Sequence, residues 1–207
     1  MSEFARDLAP AASQTGGDCL YNVVKVVLEE IDPATGNVKV GSPIKVDIDC
    51  DSEIALEPII LEGETKTLRD SKRILARAKE DDLLEGMKLT LTTVKFSPTA
   101  LSLIQGGKVR NGSSGHTEKI VGYDAPMMAE GASKTPFKMT AYCENRAGDD
   151  IVNYVAFTFW KCSGKPIGLE LKKEFFAPKM EVTATENTKI NKPSYSFDYV
   201  DKLPGQD

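Results

Sequence analysis

Apolar residues recur at every second position through the C-terminal half of the chain: Val155, Phe157 and Phe159; Met180, Val182 and Ala184; Tyr195, Phe197 and Tyr199. A repeat of two is that of a strand with one face buried, and a helix cannot satisfy it. Phe137-Lys138-Met139-Thr140-Ala141-Tyr142 adds another strand of mixed face. Near the N-terminus, Leu20 to Ile31 and Val38 to Ile48 are β-branched runs separated by Asp32-Pro33-Ala34-Thr35-Gly36-Asn37, whose turn chemistry predicts a hairpin. Ile74 to Lys79, the acidic turn 80–86 and the alternating Met87, Leu89 and Leu91 predict a second hairpin. The alternation slips before Val94 and Phe96, which places a bulge near Thr92-Thr93.

One segment breaks the strand pattern. Ser97 can cap a helix and Pro98 suits its first position, while Leu101 and Ile104 share a face and Gly106-Gly107 end it, so a helix is predicted over 97–105. Strands outnumber that helix heavily. The fold class is therefore mainly β, with two packed antiparallel sheets in a sandwich or barrel and one short flanking helix.

Residues 1–18, rich in Ala, Ser, Gly and Gln, lack periodicity and read as a flexible arm that a partner would order. Residues 19–207 read as one β domain, since 207 residues can bury a sizeable core without metal or disulfide staples. Residues 49–72 carry charges of both signs with one apolar run, Ile59-Ile60-Leu61, and read as a long loop or an extended excursion. Structureless stretches of that length within a domain are usually functional. Residues 106–117 are Gly/Ser-rich and read as a flexible loop holding His116, the only histidine.

Catalysis finds no support in these residues. A lone loop histidine has no positioned third group, and one His with four dispersed cysteines (Cys19, Cys50, Cys143 and Cys162) lacks the spacing of a zinc or redox site. Those cysteines are expected to be reduced and buried. Asp47, Asp49, Asp51 and Glu53 alternate, but Ser52 and Pro58 stand where a calcium loop needs Gly and Glu, so a solvated acidic face is expected. The segments at Gly106-Gly107-Lys108 and Gly164-Lys165 lack phosphate-loop spacing. No catalytic residue, cofactor or metal is predicted. Lys and Arg total 26 against 31 Asp and Glu, a net charge of −5, which disfavours a nucleic-acid grip. The first residues have no signal-peptide pattern and the apolar runs are too short to span a bilayer, so a cytosolic origin without membrane association is expected.

Three ordered segments carry a resemblance. Gly86 to Leu91 followed by Phe96 to Gly107, then Val155 to Cys162 followed by Phe175 to Ala184, then Tyr195 to Pro204, together resemble the tail tube (major tail) proteins of long-tailed bacteriophages. In that family a G-x-x-L-T-L strand leads into a short helix ending in Gly-Gly. Thr99-Ala100 departs from the Pro-Glu often found there, and residues 1–18 and 49–72 match nothing in the family pattern. The resemblance implies a non-enzymatic virion subunit, assembled in the bacterial cytoplasm, whose hexameric rings stack into the tail tube through which DNA passes without specific binding. It also implies tape measure, tail tip and terminator proteins as partners. Such proteins use a long loop between early strands to reach the next ring, which makes Ile59, Ile60, Leu61, Glu62, Glu64, Lys66 and Arg69 the expected subunit-interface residues. The inner tube of a contractile tail or phage-tail-like particle shares the fold and stands as an alternative. A carbohydrate-binding β-sandwich module is the alternative from another class, although Trp160, the only Trp, lies in an apolar strand and is expected in the core.

Overall fold

The computed structural model describes residues 19–41, 43–93, 96–114, 117–127, 135–168, 173 and 178–205. The N-terminal arm expected over 1–18 lies outside them, as does His116.

The strands predicted from alternation form as expected. β1 (Cys19–Glu30) and β2 (Lys45–Leu61) pair antiparallel, with Val26 opposite Ile48 and Leu28 opposite Val46, although the second strand begins at Lys45 and not at Val38, which makes only an isolated bridge to Ile31. The turn between them is built by Asp32, whose carboxylate accepts from the Ala34 amide at 2.8 Å and the Thr35 hydroxyl at 3.1 Å. β8 (Phe137–Ala147) and β9 (Asp150–Gly164) form a tight hairpin around Gly148, and β10 (Lys179–Thr185) and β11 (Ser196–Val200) follow. β5 (Leu83–Thr93) carries the Leu89 and Leu91 alternation.

Mainly antiparallel β with one short helix is thus the class the structure shows. The layers arise from a single sheet rolled onto itself instead of two separate sheets, because β10 pairs along both edges. Met180 lies opposite Leu91 of β5 on one side, while Val182 and Ala184 lie opposite Gly164 and Cys162 of β9 on the other. The order β10-β5-β2-β1-β8-β9 therefore closes into a barrel, and β11 occupies the remaining edge of β9. Closure gives every strand of that ring a neighbour on each side, which limits the usual template for unwanted strand addition, and beyond Ser52 β2 pairs with β5 alone.

Every barrel strand contributes to one core, including Val26, Leu28, Ile48, Leu89, Phe137, Met139, Phe159 and Val182. The helix α1 (Pro98–Gln105) adds Ala100, Leu103 and Ile104 to it. Ser97 caps α1 by accepting from the Ala100 amide at 3.3 Å, and Gly106, at φ 88°, ends it. Gly86 opens the G-x-x-L-T-L segment for a steric reason. A Cβ there would stand 2.5 Å from the Ala184 carbonyl oxygen of β10, so only glycine lets the two strands meet.

Four expectations are corrected. Of the two readings of residues 49–72, the long loop is wrong and the extended excursion is what forms: β2 runs to Leu61, and Thr65–Arg69 is a further strand, β3. Ile74–Lys79, β4, pairs with β3 and not with the segment after the acidic turn, because the chain reverses at residues 70–73, where the Asp70 amide donates to the Arg73 carbonyl at 2.9 Å. The irregularity in β5 falls where Ile59 and Ile60 face Gly86 and Leu84, leaving Glu85 as the extra residue, whereas Thr92 and Thr93 pair regularly with Glu53 and Ser52. The Gly/Ser-rich segment forms β6 (Lys108–Ser114), paired with β7 (Thr117–Asp124). Tyr123 of β7 holds this ribbon to α1, accepting from the Gln105 amide at 2.9 Å and donating to the Gly106 carbonyl at 2.5 Å.

Candidate functional site

β2 and β5 continue together past the barrel, and β3 and β4 extend the same excursion to its tip. Between Ile59 and Asp70 the chain has about 36 Å of contour at roughly 3.3 Å per residue. Every residue of β3 and β4 is exposed on both faces of the ribbon, and beyond their mutual pairing they make no extensive contact with another element. An isolated two-stranded ribbon is at best marginally stable in water. This one also leaves Leu68, Ile74 and Leu75 more than 60% exposed, with Ile60, Leu61, Leu83 and Leu84 exposed where it joins the barrel.

The structure therefore brings all seven expected interface residues onto one projecting hairpin. Ile60, Leu61, Glu62, Glu64, Lys66 and Arg69 are exposed, and Ile59 is half-buried. Glu64 and Lys66 are engaged within the chain, 3.5 Å apart, and Lys66 also reaches Glu80 at 3.7 Å. At the joint, the Gly63 amide donates to Asp82 at 2.9 Å, and Lys79 lies 3.6 Å from the same side chain. Leu68, Ile74 and Leu75 were not among the expected residues. The signal was present as apolar residues flanking a charged turn, but the partner strand could not be read without the position of that turn.

The ribbon has two unlike faces, because directly opposed residues share a side. Lys66 opposite Ala78 and Leu68 opposite Ala76 make a small apolar face with a shallow open depression of about 410 Å³. Thr65 opposite Lys79, Thr67 opposite Arg77 and Arg69 opposite Ile74 make a basic one.

A second apolar surface lies where β1, β9 and β11 meet. Leu20, Val155, Phe157, Phe197 and Tyr199 line a depression of about 160 Å³. Phe197 stacks tilted on Phe157 at 5.9 Å and meets Tyr199 edge-on at 6.3 Å. Alternation marked these aromatics as one face of a strand. It did not show that β11 stands at the last position of the sheet order, where that face stays partly in water.

Other expected features fall elsewhere. Trp160 is half-buried on β9 and not in the core: its indole N–H donates to Ser196 at 3.0 Å, and Lys138 and Lys192 sit over its ring at 5.4 and 4.8 Å. Cys162 is buried, Cys19 exposed and Cys143 half-buried, while the side chain of Cys50 lies outside the described ones. Burial pushes the Cys162 thiol well above its usual range, with a backbone hydrogen bond at Met139 opposing weakly, and burial also raises Cys143. Of the alternating acids, Asp47 and Glu53 are exposed, Asp47 lying 3.9 Å from Lys45. Among the described residues no group of three or more acidic, His or Cys side chains is placed to hold a metal, and no helix is long and apolar enough to cross a membrane. No protein-family model and no curated protein matches this chain.

Proposed function

We propose that this chain is a structural subunit that assembles with copies of itself, and that the assembly is a phage tail tube of stacked hexameric rings serving as a conduit for genome delivery. The observation that carries self-assembly is the projecting hairpin. A 15-residue ribbon, 65–79, that buries none of its own side chains has no internal reason to persist, and the apolar residues along it favour a protein partner.

The tail-tube reading draws further support from where the resembling segments lie. They make β5, β9 and β10, three of the six barrel strands, together with α1 and the flanking β11, so much of the likeness falls on the framework. A barrel closed around a continuous core suits a load-bearing wall, and the projecting hairpin suits a contact between rings. The subunit would perform no catalysis. Tubes of contractile and non-contractile tails fit these features equally.

A carbohydrate-binding module is less well supported, because Phe197 and Tyr199 stand at 84° to one another and form no flat platform, while the Trp160 ring is covered by two lysines. Negative-stain microscopy of concentrated protein, with sedimentation velocity, tests the reading. Rings or tubes are expected. A chain that stays monomeric at every concentration and binds polysaccharide overturns it.

A further inference from the structure

The net charge of −5 conceals a strong polarity along the hairpin. The ribbon 65–79 contains Lys66, Arg69, Lys72, Arg73, Arg77 and Lys79 against Asp70 alone, a formal +5, which leaves −10 on the rest of the chain. The neck that joins it to the barrel, residues 62–64 and 80–85, contains six acids and no base, a formal −6. Lys66 and Lys79 are paired with acids of their own neck. Among the described residues, the side chains of Arg69, Arg73 and Arg77 on the ribbon, and of Glu62, Asp81 and Glu85 on the neck, form no ion pair.

We infer that the basic ribbon of one copy docks on the acidic neck of a second copy, joining subunits ribbon to neck. This rests on the self-assembly reading and deepens it by naming both partner surfaces. The complementarity is twofold. The neck offers carboxylates to the Arg69 and Arg77 face, and its exposed Leu83 and Leu84, with Ile60 and Leu61 of β2 beside them, offer apolar cover to the Leu68, Ala76 and Ala78 face. Ribbon against ribbon and neck against neck would oppose like charges, so charge fixes the register more than it supplies affinity. A head-to-tail contact leaves each added copy with one free ribbon and one free neck, which lets the assembly propagate. A nucleic acid is the poorer occupant: its phosphates would meet the acidic neck beside the ribbon, and the apolar face would remain in water.

The test uses two full-length variants. One replaces unpaired cations of the ribbon by acids (Arg69→Glu, Arg73→Glu, Arg77→Glu) and the other the unpaired acids of the neck by lysines (Glu62→Lys, Asp81→Lys, Glu85→Lys). Each alone should fold with the wild-type circular dichroism spectrum and sediment as a monomer where wild type assembles. An equimolar mixture should assemble, because the three unpaired carboxylates placed on one ribbon then meet the three unpaired lysines placed on the other neck, and a folding defect cannot produce that rescue. Wild-type assembly should also weaken as salt rises from about 0.05 to about 0.5 M, where the Debye length shrinks to a few ångströms. Either variant assembling alone like wild type, or a folded but monomeric mixture, overturns the inference while leaving self-assembly standing. Wild type that never associates overturns both. Wild type that instead binds duplex DNA, with binding lost only in the ribbon variant, replaces the inference with nucleic-acid recognition.

Discussion

Glu30 is 7% exposed at the end of β1, and a carboxylate so placed must be compensated. Burial pushes its carboxyl up, but the Lys39 ammonium at 2.8 Å and the Ile44 amide at 3.1 Å outweigh that and hold it below the ordinary value of 4.5. Its own amide donates to the Ile44 carbonyl at 3.0 Å, so one residue pins the connection from β1 to β2. A depressed carboxylate contributes stability that is fully present above the unfolded value and is lost as pH falls through the folded one. Glu30→Gln should therefore cost about 1–3 kcal/mol at pH 7, the worth of charge-assisted hydrogen bonds. It should cost progressively less below about pH 4.5, where the wild-type group protonates in the unfolded chain first. Urea melts of both proteins at pH 7 and pH 3 measure this; an equal difference at the two pH values would show that the loss is packing and not charge.

Elements of the barrel were legible because each leaves a one-sided pattern. Met180, Val182 and Ala184 face the core and alternate with Glu181 and Thr183, and α1 carried its start, its apolar face and its stop in ten residues. β4 was legible as a strand but not its partner, and β3 was not legible, for the corresponding physical reason: both faces are in water, so burial imposes no alternation, and the reversal at Asp70-Ser71-Lys72-Arg73 has neither Gly nor Pro to announce it. The seven residues expected at an interface could be assigned to one segment, but the faces of the ribbon depend on the register of β3 with β4, which only pairing supplies. The same contrast predicts mutational cost. Leu89→Ala in the core should destabilise by about 2–5 kcal/mol, whereas Leu68→Ala on the ribbon should change subunit stability by no more than about 0.5 kcal/mol. Denaturant midpoints that moved equally would mean the ribbon folds against the barrel. Thr183→Pro is the sharper probe of closure. Thr183 pairs with Lys88 on one side and Ser163 on the other, so proline there should cost about 3 kcal/mol or more. Asp198→Pro on β11, a strand paired only to β9, should cost clearly less in the same urea assay.

At the scale of the whole molecule, a closed barrel and an unsupported appendage have different stabilities within one chain, and limited proteolysis reads that difference. Every strand of the barrel ring has a neighbour on each side, while the ribbon presents Lys66, Arg69, Lys72, Arg73, Arg77 and Lys79 to trypsin on a segment held only by its own pairing. Trypsin should cut the monomeric subunit within 66–79 early. The two fragments should stay together, since β2 and β5 remain paired from Ser52 opposite Thr93 to Leu61 opposite Leu83 and bury Ile48, Leu89 and Leu91 in the common core. The nicked protein should keep its strand circular dichroism signal and melt within a few degrees of the intact chain, yet fail to assemble. In the assembled state the ribbon should be shielded and the same cuts slowed at least tenfold. Mass spectrometry of the fragments identifies the sites. Cleavage in 66–79 that collapses the barrel would make the ribbon part of the folding unit, and cleavage at an equal rate in monomer and assembly would remove it from the interface.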